Sequence, residues 1–268
     1  MCIRHLHISS GIGLGQTETN CELFTDLARM LRCNTRRTHK GVAMNAASFV
    51  AGARMTVPAS VKQDPVRDLL VLRLNQAVAF VLLMLLSPVM LIITFFIWQR
   101  DGAPMLFAHY RVGHEGKLFR CMKFRTMLRN SEQVLADLLR DDPAAREEWA
   151  RDQKLTNDPR ITPIGHFLRK TSLDELPQLL NVLRGEMSLV GPRPITVGEL
   201  TRYGKVRWHY LSVRPGITGL WQVSGRNNTT YDERVALDRR YVEQKTLWMD
   251  VAILFKTVKV VVAREGAR

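Results

Sequence analysis

From Ala77 to Trp98 the chain runs 22 residues without a charged side chain, "AVAFVLLMLLSPVMLIITFFIW". As a helix rising about 1.5 Å per residue it covers roughly 33 Å, enough for the hydrocarbon core of a bilayer. A helix inside a water-soluble core rarely stays uncharged that long, so the stretch predicts membrane insertion. Ser87-Pro88 complicates it. Proline lacks the N–H of an i to i−4 bond and its ring crowds the carbonyl four residues back, that of Met84, so a sharp kink is expected. In lipid the freed carbonyls need a partner, and the Ser87 hydroxyl can supply one. Arg67 and Arg73 flank one end and Arg100 the other, so the basic residues set no crossing direction. Two topologies fit: a kinked spanning helix, and a helix-break-helix hairpin that enters and leaves by the same face.

This segment divides the chain. Residues 1–66 show no sustained period and include the basic run "RMLRCNTRRTHKG" and the low-complexity "AASFVAGARMTVPAS". A disordered tail is expected there, with a targeting or membrane-surface arm as the alternative and Met44 as a second candidate start. Beyond Trp98 no further segment is uncharged over a comparable length, so residues 101–268 are expected to form a body facing water. "PMLFAHYRVGHEGKLFRCMKFRTM" predicts a hairpin turning at His114-Glu115-Gly116. Residues 131–153 predict a charged helix-loop-helix with Ser131 as N-cap. Thr171 or Ser172 is placed to cap a helix that starts at Leu173-Asp174-Glu175, takes Pro177 in its first turn and runs to Gly185. "MDVAILFKTVKVVVAREGAR" predicts either an amphipathic interfacial helix or a buried core helix.

The body is basic. Lys and Arg number 39 against 25 Asp and Glu, a formal charge of +14, which favours anionic partners: nucleic acid, phosphorylated substrates or an anionic membrane surface. Cys2, Cys21, Cys33 and Cys121 form no CxxC pair and no zinc spacing, and read as reduced thiols. Against this background "RKTSLDELPQLLNVLRGEMSLVGPRP" sets two adjacent acids, Asp174 and Glu175, among bases and leucines. Acids in a first helical turn commonly serve only the helix dipole. Here they keep company with Arg169, with Arg193 in a Gly/Pro loop, and with Arg214 and Arg226 in "VRPGITGLWQVSGRNN". Arginine forks clamp phosphate oxygens. Adjacent carboxylates can hold Mg²⁺ on a diphosphate, or one of them can attack phosphorus.

"YRVGHEGKLFRCMKFRTM", "DPRITPIGHFLRKTSLDELPQLLNVLRGEMSLVGPRP" and "RPGITGLWQVSGRN" resemble the bacterial sugar transferase family, the monotopic polyprenyl-phosphate phosphoglycosyl transferases. The likeness covers about Arg67 to Arg264. The ending "YDERVALDRRYVEQKTLWMDVAILFKTVKVVV" is similar to the branch containing undecaprenyl-phosphate galactose phosphotransferases of exopolysaccharide and O-antigen assembly. Some relatives carry a larger amino-terminal membrane region, and this chain is expected to be the short form.

The resemblance implies an α-rich α/β fold: a compact body, residues 101–268, on a re-entrant membrane hairpin, residues 67–100, with interfacial amphipathic helices. It makes Ser87-Pro88 the hairpin's break. It implies that Asp174 attacks the β-phosphorus of a UDP-sugar, of galactose or glucose, expels UMP and carries the phosphosugar to undecaprenyl phosphate. Glu175 would hold Mg²⁺. Arg169 and Arg193 match family arginines that contact phosphate; Arg214 and Arg226 are further candidates. Lys123 and Arg125 match the basic "KFR" stretch, with either a phosphate-binding or a structural role. His109, His114 and His166 receive no role. The surrounding arginines are expected to lower the Asp174 pKa, and a helix N-terminus to add positive potential. The expected setting is the cytoplasmic face of a bacterial inner membrane, among its lipids, with downstream glycosyltransferases as partners and the oligomeric state open. The alternatives are an inactive scaffold of a polysaccharide assembly complex, a soluble metal phosphatase, which has no need of Ala77–Trp98, and a nucleic-acid binder, for which no recognition motif is visible.

Overall fold

The computed structural model describes residues 64–152, 154–225 and 229–262. The expected tail, with Cys2, Cys21, Cys33 and Met44, and also Arg226, lies outside the described residues. Helix α1, Pro65–Asp101, contains the whole uncharged stretch. It starts two residues before the expected boundary because Asp64 caps it, accepting from the Val66 amide at 2.9 Å, with Pro65 at the first helical position. Gly102, at φ +70°, ends it. The helix runs through Ser87-Pro88 without an intervening loop, and the Ser87 hydroxyl donates to the Met84 carbonyl at 2.9 Å, the partner that the proline requires.

Among the described residues, α1 is the one helix long and apolar enough to cross a membrane, and only 17% of its most apolar window is buried. A core helix of a water-soluble protein would be mostly covered. Instead a narrow stripe, Ala79, Leu83, Ile93 and Ile97, is buried, while Val81, Leu85, Leu91, Ile92 and Phe96 stand exposed. Ala79 and Leu83 join a core with Phe119, Cys121, Leu179 and Val182; Ile93 and Ile97 join a second with Phe124 and Leu168. Both ends of the uncharged stretch are therefore seated on the same body.

Among the described residues that body is helix-rich with two small sheets. Strands β1, Leu106–Val112, and β2, Leu118–Phe124, form the expected antiparallel hairpin, with the turn at His114–Gly116. Helices α2, Ser131–Asp141, and α3, Pro143–Asp152, form the charged pair; α2 is preceded by Asn130 as its cap residue, so Ser131 is its first helical residue and not the N-cap. Helix α4, Pro163–Thr171, is capped by Thr162, which accepts from the Gly165 amide at 3.1 Å. Helix α5 spans Gln178–Leu183 and stops before Gly185, at φ +74°.

Strands β3, Ser188–Val190, and β4, Gly216–Thr218, pair in parallel, an element the sequence did not announce. Their approach is backbone to backbone: a Cβ at Gly216 would lie 2.1 Å from the Gly191 nitrogen, so a glycine is required there. Gly191 donates to the Thr218 carbonyl at 2.9 Å and Gly216 to that of Pro192 at 2.8 Å. These bonds lock the "GPRP" loop against the "RPGITG" loop.

Helices α6, Val197–Arg202, α7, Arg207–Leu211, α8, Tyr231–Gln244, and α9, Leu247–Val262, complete the described chain. Helix α9 buries Ile253 and Val260 but leaves Trp248, Val251, Leu254, Phe255 and Val258 exposed. It is not a fully buried core helix, and Lys256 and Lys259 are exposed beside this apolar row.

Beneath α6, Tyr203 donates to Asp238 at 2.8 Å, and burial pushes the Asp238 carboxyl up to about 7. The folded chain thus keeps a proton that the unfolded chain releases near pH 4. This group's contribution to stability falls as pH rises from roughly 4 to 7 and reaches its minimum above that window. Asp238→Asn removes the charge and keeps an acceptor for Tyr203. It is expected to raise stability at pH 8 by about 2 kcal/mol, with the gap closing near pH 4. Thermal unfolding in micelles at both pH values measures this; a pH-independent difference would contradict it.

Candidate active site

Three structural joints converge on one cleft. The first is the hairpin. Asn181, fully buried on α5, accepts from the Met122 amide at 3.0 Å and donates to the Arg120 carbonyl at 2.8 Å. This clamps β2 on either side of Cys121 and fixes the backbone that carries Lys123. The second is the corner between α4 and α5. Ser172 turns the chain in a left-handed conformation, φ +57°, and Leu173–Glu175 follows as a short 3-10 turn. The third is the locked "GPRP" loop, which carries Arg193.

The acids therefore do not begin an α-helix, as the sequence suggested; they sit in the bend between two helices, and the six-residue α5 starts only at Gln178. The expected helix-dipole contribution at Asp174 falls away accordingly. A second expectation is also corrected. Asp174 is only 8% exposed, and its carboxyl is pushed up, not down. Burial is the largest cause and Glu175 adds to it; Lys123 and Arg169 act in the opposite direction without prevailing.

Lys123 is the cation that reaches both acids. Its Nζ lies 3.6 Å from Asp174 Oδ2 and hydrogen-bonds Glu175 Oε1. Arg169 also lines the cleft; its Nε donates to Thr126 Oγ1 at 2.9 Å. Arg193 lines it too, its guanidinium 6.0 Å from the centre of the Trp221 ring. Arg111 joins them, paired with Glu199 at 3.2 Å. Neither Arg111 nor Trp221 stood out in the sequence. The hairpin register sets Arg111 opposite Phe119 and Lys123 opposite Phe107, four residues apart along the ladder.

Other candidates are placed elsewhere. Arg125 touches the cleft wall but is 7% exposed, and its guanidinium donates to the Asp101 and Gly102 carbonyls at 2.9 and 2.7 Å and to that of Pro104. It closes the carbonyl end of α1, a structural task. Arg214 is not among the residues lining the cleft; its Nε donates to the Gly185 carbonyl at 3.0 Å, close to the first half of α1. His109 and His166 are exposed, and Cys121 is buried in the core.

The cleft encloses about 1420 Å³. Its lining includes the acids, Lys123 and the arginines. Apolar residues share that lining, among them Leu82 and Leu86 from α1, Ile217 from β4 and Leu254 from α9. As a metal site it is sparse: among the described residues no group of three His, Cys, Asp or Glu side chains converges. Two adjacent carboxylates fit an ion that takes its remaining ligands from phosphates and water, as Mg²⁺ commonly does, and do not form an all-protein cage.

Comparison with known proteins follows this geometry. The bacterial sugar transferase family profile matches residues 68–264. An undecaprenyl-phosphate galactose phosphotransferase of Salmonella typhimurium is 58% identical over 70% of this chain, which covers 40% of that protein. The exopolysaccharide production protein ExoY of Rhizobium meliloti is 49% identical over 70% of this chain and 84% of its own length. A UDP-glucose:undecaprenyl-phosphate glucose-1-phosphate transferase of Escherichia coli is 36% identical over 67% of this chain and 37% of its own. The chain thus spans about 40% of the length of several curated relatives it matches.

Proposed function

The chain belongs to the bacterial sugar transferase family, and from that premise we propose that it transfers a sugar 1-phosphate from a UDP-sugar to undecaprenyl phosphate with release of UMP. Galactose and glucose, named in its relatives, are the candidate sugars. The reaction would open exopolysaccharide, O-antigen or capsule assembly. One observation carries the reading. The Asp174–Glu175 pair faces a cleft lined both by cations and by leucines of α1. A diphosphate and a lipid phosphate need both kinds of lining at once.

In this scheme an Asp174 carboxylate oxygen bonds to the β-phosphorus as the bond to the bridging oxygen breaks, and UMP leaves with that electron pair. A phosphate oxygen of the lipid then displaces the Asp174 carboxylate from the same phosphorus. Lys123, Arg169 and Arg193 hold phosphate oxygens through both displacements, and Arg111 is near enough to share that load. Glu175, with Asp174 beside it, would hold Mg²⁺, which when bound neutralises diphosphate charge. Leu82, Leu86 and Leu254 exclude water from the apolar lining, where the lipid chain would lie. Membranes given labelled UDP-galactose or UDP-glucose and undecaprenyl phosphate should yield lipid-linked label and UMP in equal amounts. Release of UDP in place of UMP would overturn the scheme.

Arg169→Ala and Arg193→Ala each remove a charge-assisted contact worth about 1.5–3 kcal/mol, so turnover is expected to fall roughly ten- to a hundredfold. Unchanged kinetics in both variants would assign these arginines to folding.

For topology, the packing of Ala79/Leu83 and of Ile93/Ile97 on one body supports a re-entrant α1 that keeps its two ends on the cytoplasmic face. The exposed apolar row of α9 supports an interfacial position for that helix. A single cysteine introduced near residue 60 of an otherwise cysteine-free chain is expected to resist an impermeant thiol reagent in intact cells and to react after lysis. Replacing Ser87-Pro88 with Leu-Ala should straighten α1 and expose that cysteine in part of the population. Labelling of the unaltered hairpin in intact cells would leave the spanning helix.

A further inference from the structure

Lys123 stands where two needs compete. Asp174 and Glu175 are adjacent carboxylates, with side chains 12% and 21% exposed, and their mutual repulsion is offset by the Lys123 ammonium at 3.6 Å from the first and in hydrogen-bond contact with the second. The neighbouring guanidiniums are tied down: Arg169 to Thr126, Arg125 to three carbonyls at the end of α1. Lys123 differs in having a flexible four-carbon stem, its side chain 28% exposed at the cleft. It can leave the acids without dismantling the fold.

We propose that Lys123 makes metal entry depend on the donor: in the donor-free protein its ammonium occupies the Asp174–Glu175 pair and disfavours a free divalent cation, and a nucleotide diphosphate admits the ion by drawing the ammonium onto its own oxygens. This rests on the reading of the cleft as a nucleotide-sugar site. The charges support it. Two carboxylates already paired with one ammonium offer a net charge of about −1, a poor inducement for Mg²⁺, which gives up its water reluctantly. A diphosphate supplies the negative charge that both cations need, so the ammonium and the metal no longer compete for the same two acids. Coupling of this kind is reciprocal: the donor raises metal affinity by the same factor as the metal raises donor affinity. The nucleophile is thus kept clear of a bare ion between turnovers.

Mn²⁺ serves as the probe, its free fraction read by electron paramagnetic resonance, with the full chain in lipid nanodiscs. Without nucleotide the parent should bind Mn²⁺ weakly, Lys123→Met at least about tenfold more tightly, and Lys123→Arg like the parent. With UDP the parent should gain about tenfold, after subtraction of Mn²⁺ held by UDP alone. A donor-free affinity of Lys123→Met within twofold of the parent overturns the inference, as does a parent affinity indifferent to UDP. If neither protein holds Mn²⁺ in the presence of UDP, the nucleotide-site reading fails as well. Thermal unfolding checks each variant, and Lys123→Gln replaces Lys123→Met, with the same expectation, if the latter does not fold.

Discussion

Asp174→Asn is expected to abolish turnover, to less than a few per cent of the parent rate, in a protein that still folds. The substitution keeps the shape of a residue that is 8% exposed and removes the charge proposed to attack. It also relieves the fold of a carboxyl whose burial pushes its pKa up, so thermal stability should be equal or higher. Intact-mass measurement after mixing with the UDP-sugar should find a phosphosugar adduct on the parent and none on the variant. Activity above a few per cent would exclude covalent catalysis through Asp174. Glu175→Gln should be nearly as severe, with partial recovery at high Mg²⁺; an adduct mapped to Glu175 would reverse the two assignments.

Gly165→Ala is expected to combine loss of stability with a loss of activity near a hundredfold. A methyl group at this position would lie 2.1 Å from the Thr126 carbonyl oxygen, and that neighbour is backbone, with little room to give. Overpacking of this kind costs about 1–3 kcal/mol. Thr126 is also the anchor of α4: it accepts from the Thr162 amide at 3.0 Å, and its hydroxyl holds Arg169 Nε at 2.9 Å. Pushing the two backbones apart moves Arg169 relative to Lys123, and misplacement of about 1 Å at a reacting centre costs on the order of a hundredfold. Parallel measurement of Tm and of sugar-phosphate transfer tests the coupling. A variant as stable as the parent would show that α4 can shift at no cost.

Much of the architecture was legible because it depends on local pattern. An uncharged stretch, a strand–turn–strand alternation and a glycine after α5 report on their own neighbourhood. The proximity of Asp174 and Glu175 needed no fold at all. What remained hidden depends on distant neighbours. An arginine that clamps phosphate and one that closes a helix end have the same composition. Arg125 is set apart from Arg169 and Arg193 by the carbonyls it meets, of Asp101, Gly102 and Pro104, and Arg214 by its bond to Gly185 and its place outside the cleft lining. The direction of the Asp174 shift was misread for the same reason: nearby cations are visible in a sequence, burial is not. Strands β3 and β4, three residues each, are too short to show a period, although they hold Arg193 in place.

The buried stripe of α1 has a consequence for any attempt to take the molecule apart. Ala79 and Leu83 fill one core, Ile93 and Ile97 fill another, and Leu82 and Leu86 wall the cleft. Among the described residues, a cut after α1 would not separate the proposed anchor from the proposed catalytic body, because the same helix contributes to both. A truncation that begins after Asp101 would expose two half-built cores and open one side of the cleft to water. On the proposed seating of α1 in a bilayer, the angle at which the helix rests would set the position of that cleft wall, and turnover is expected to vary with lipid thickness.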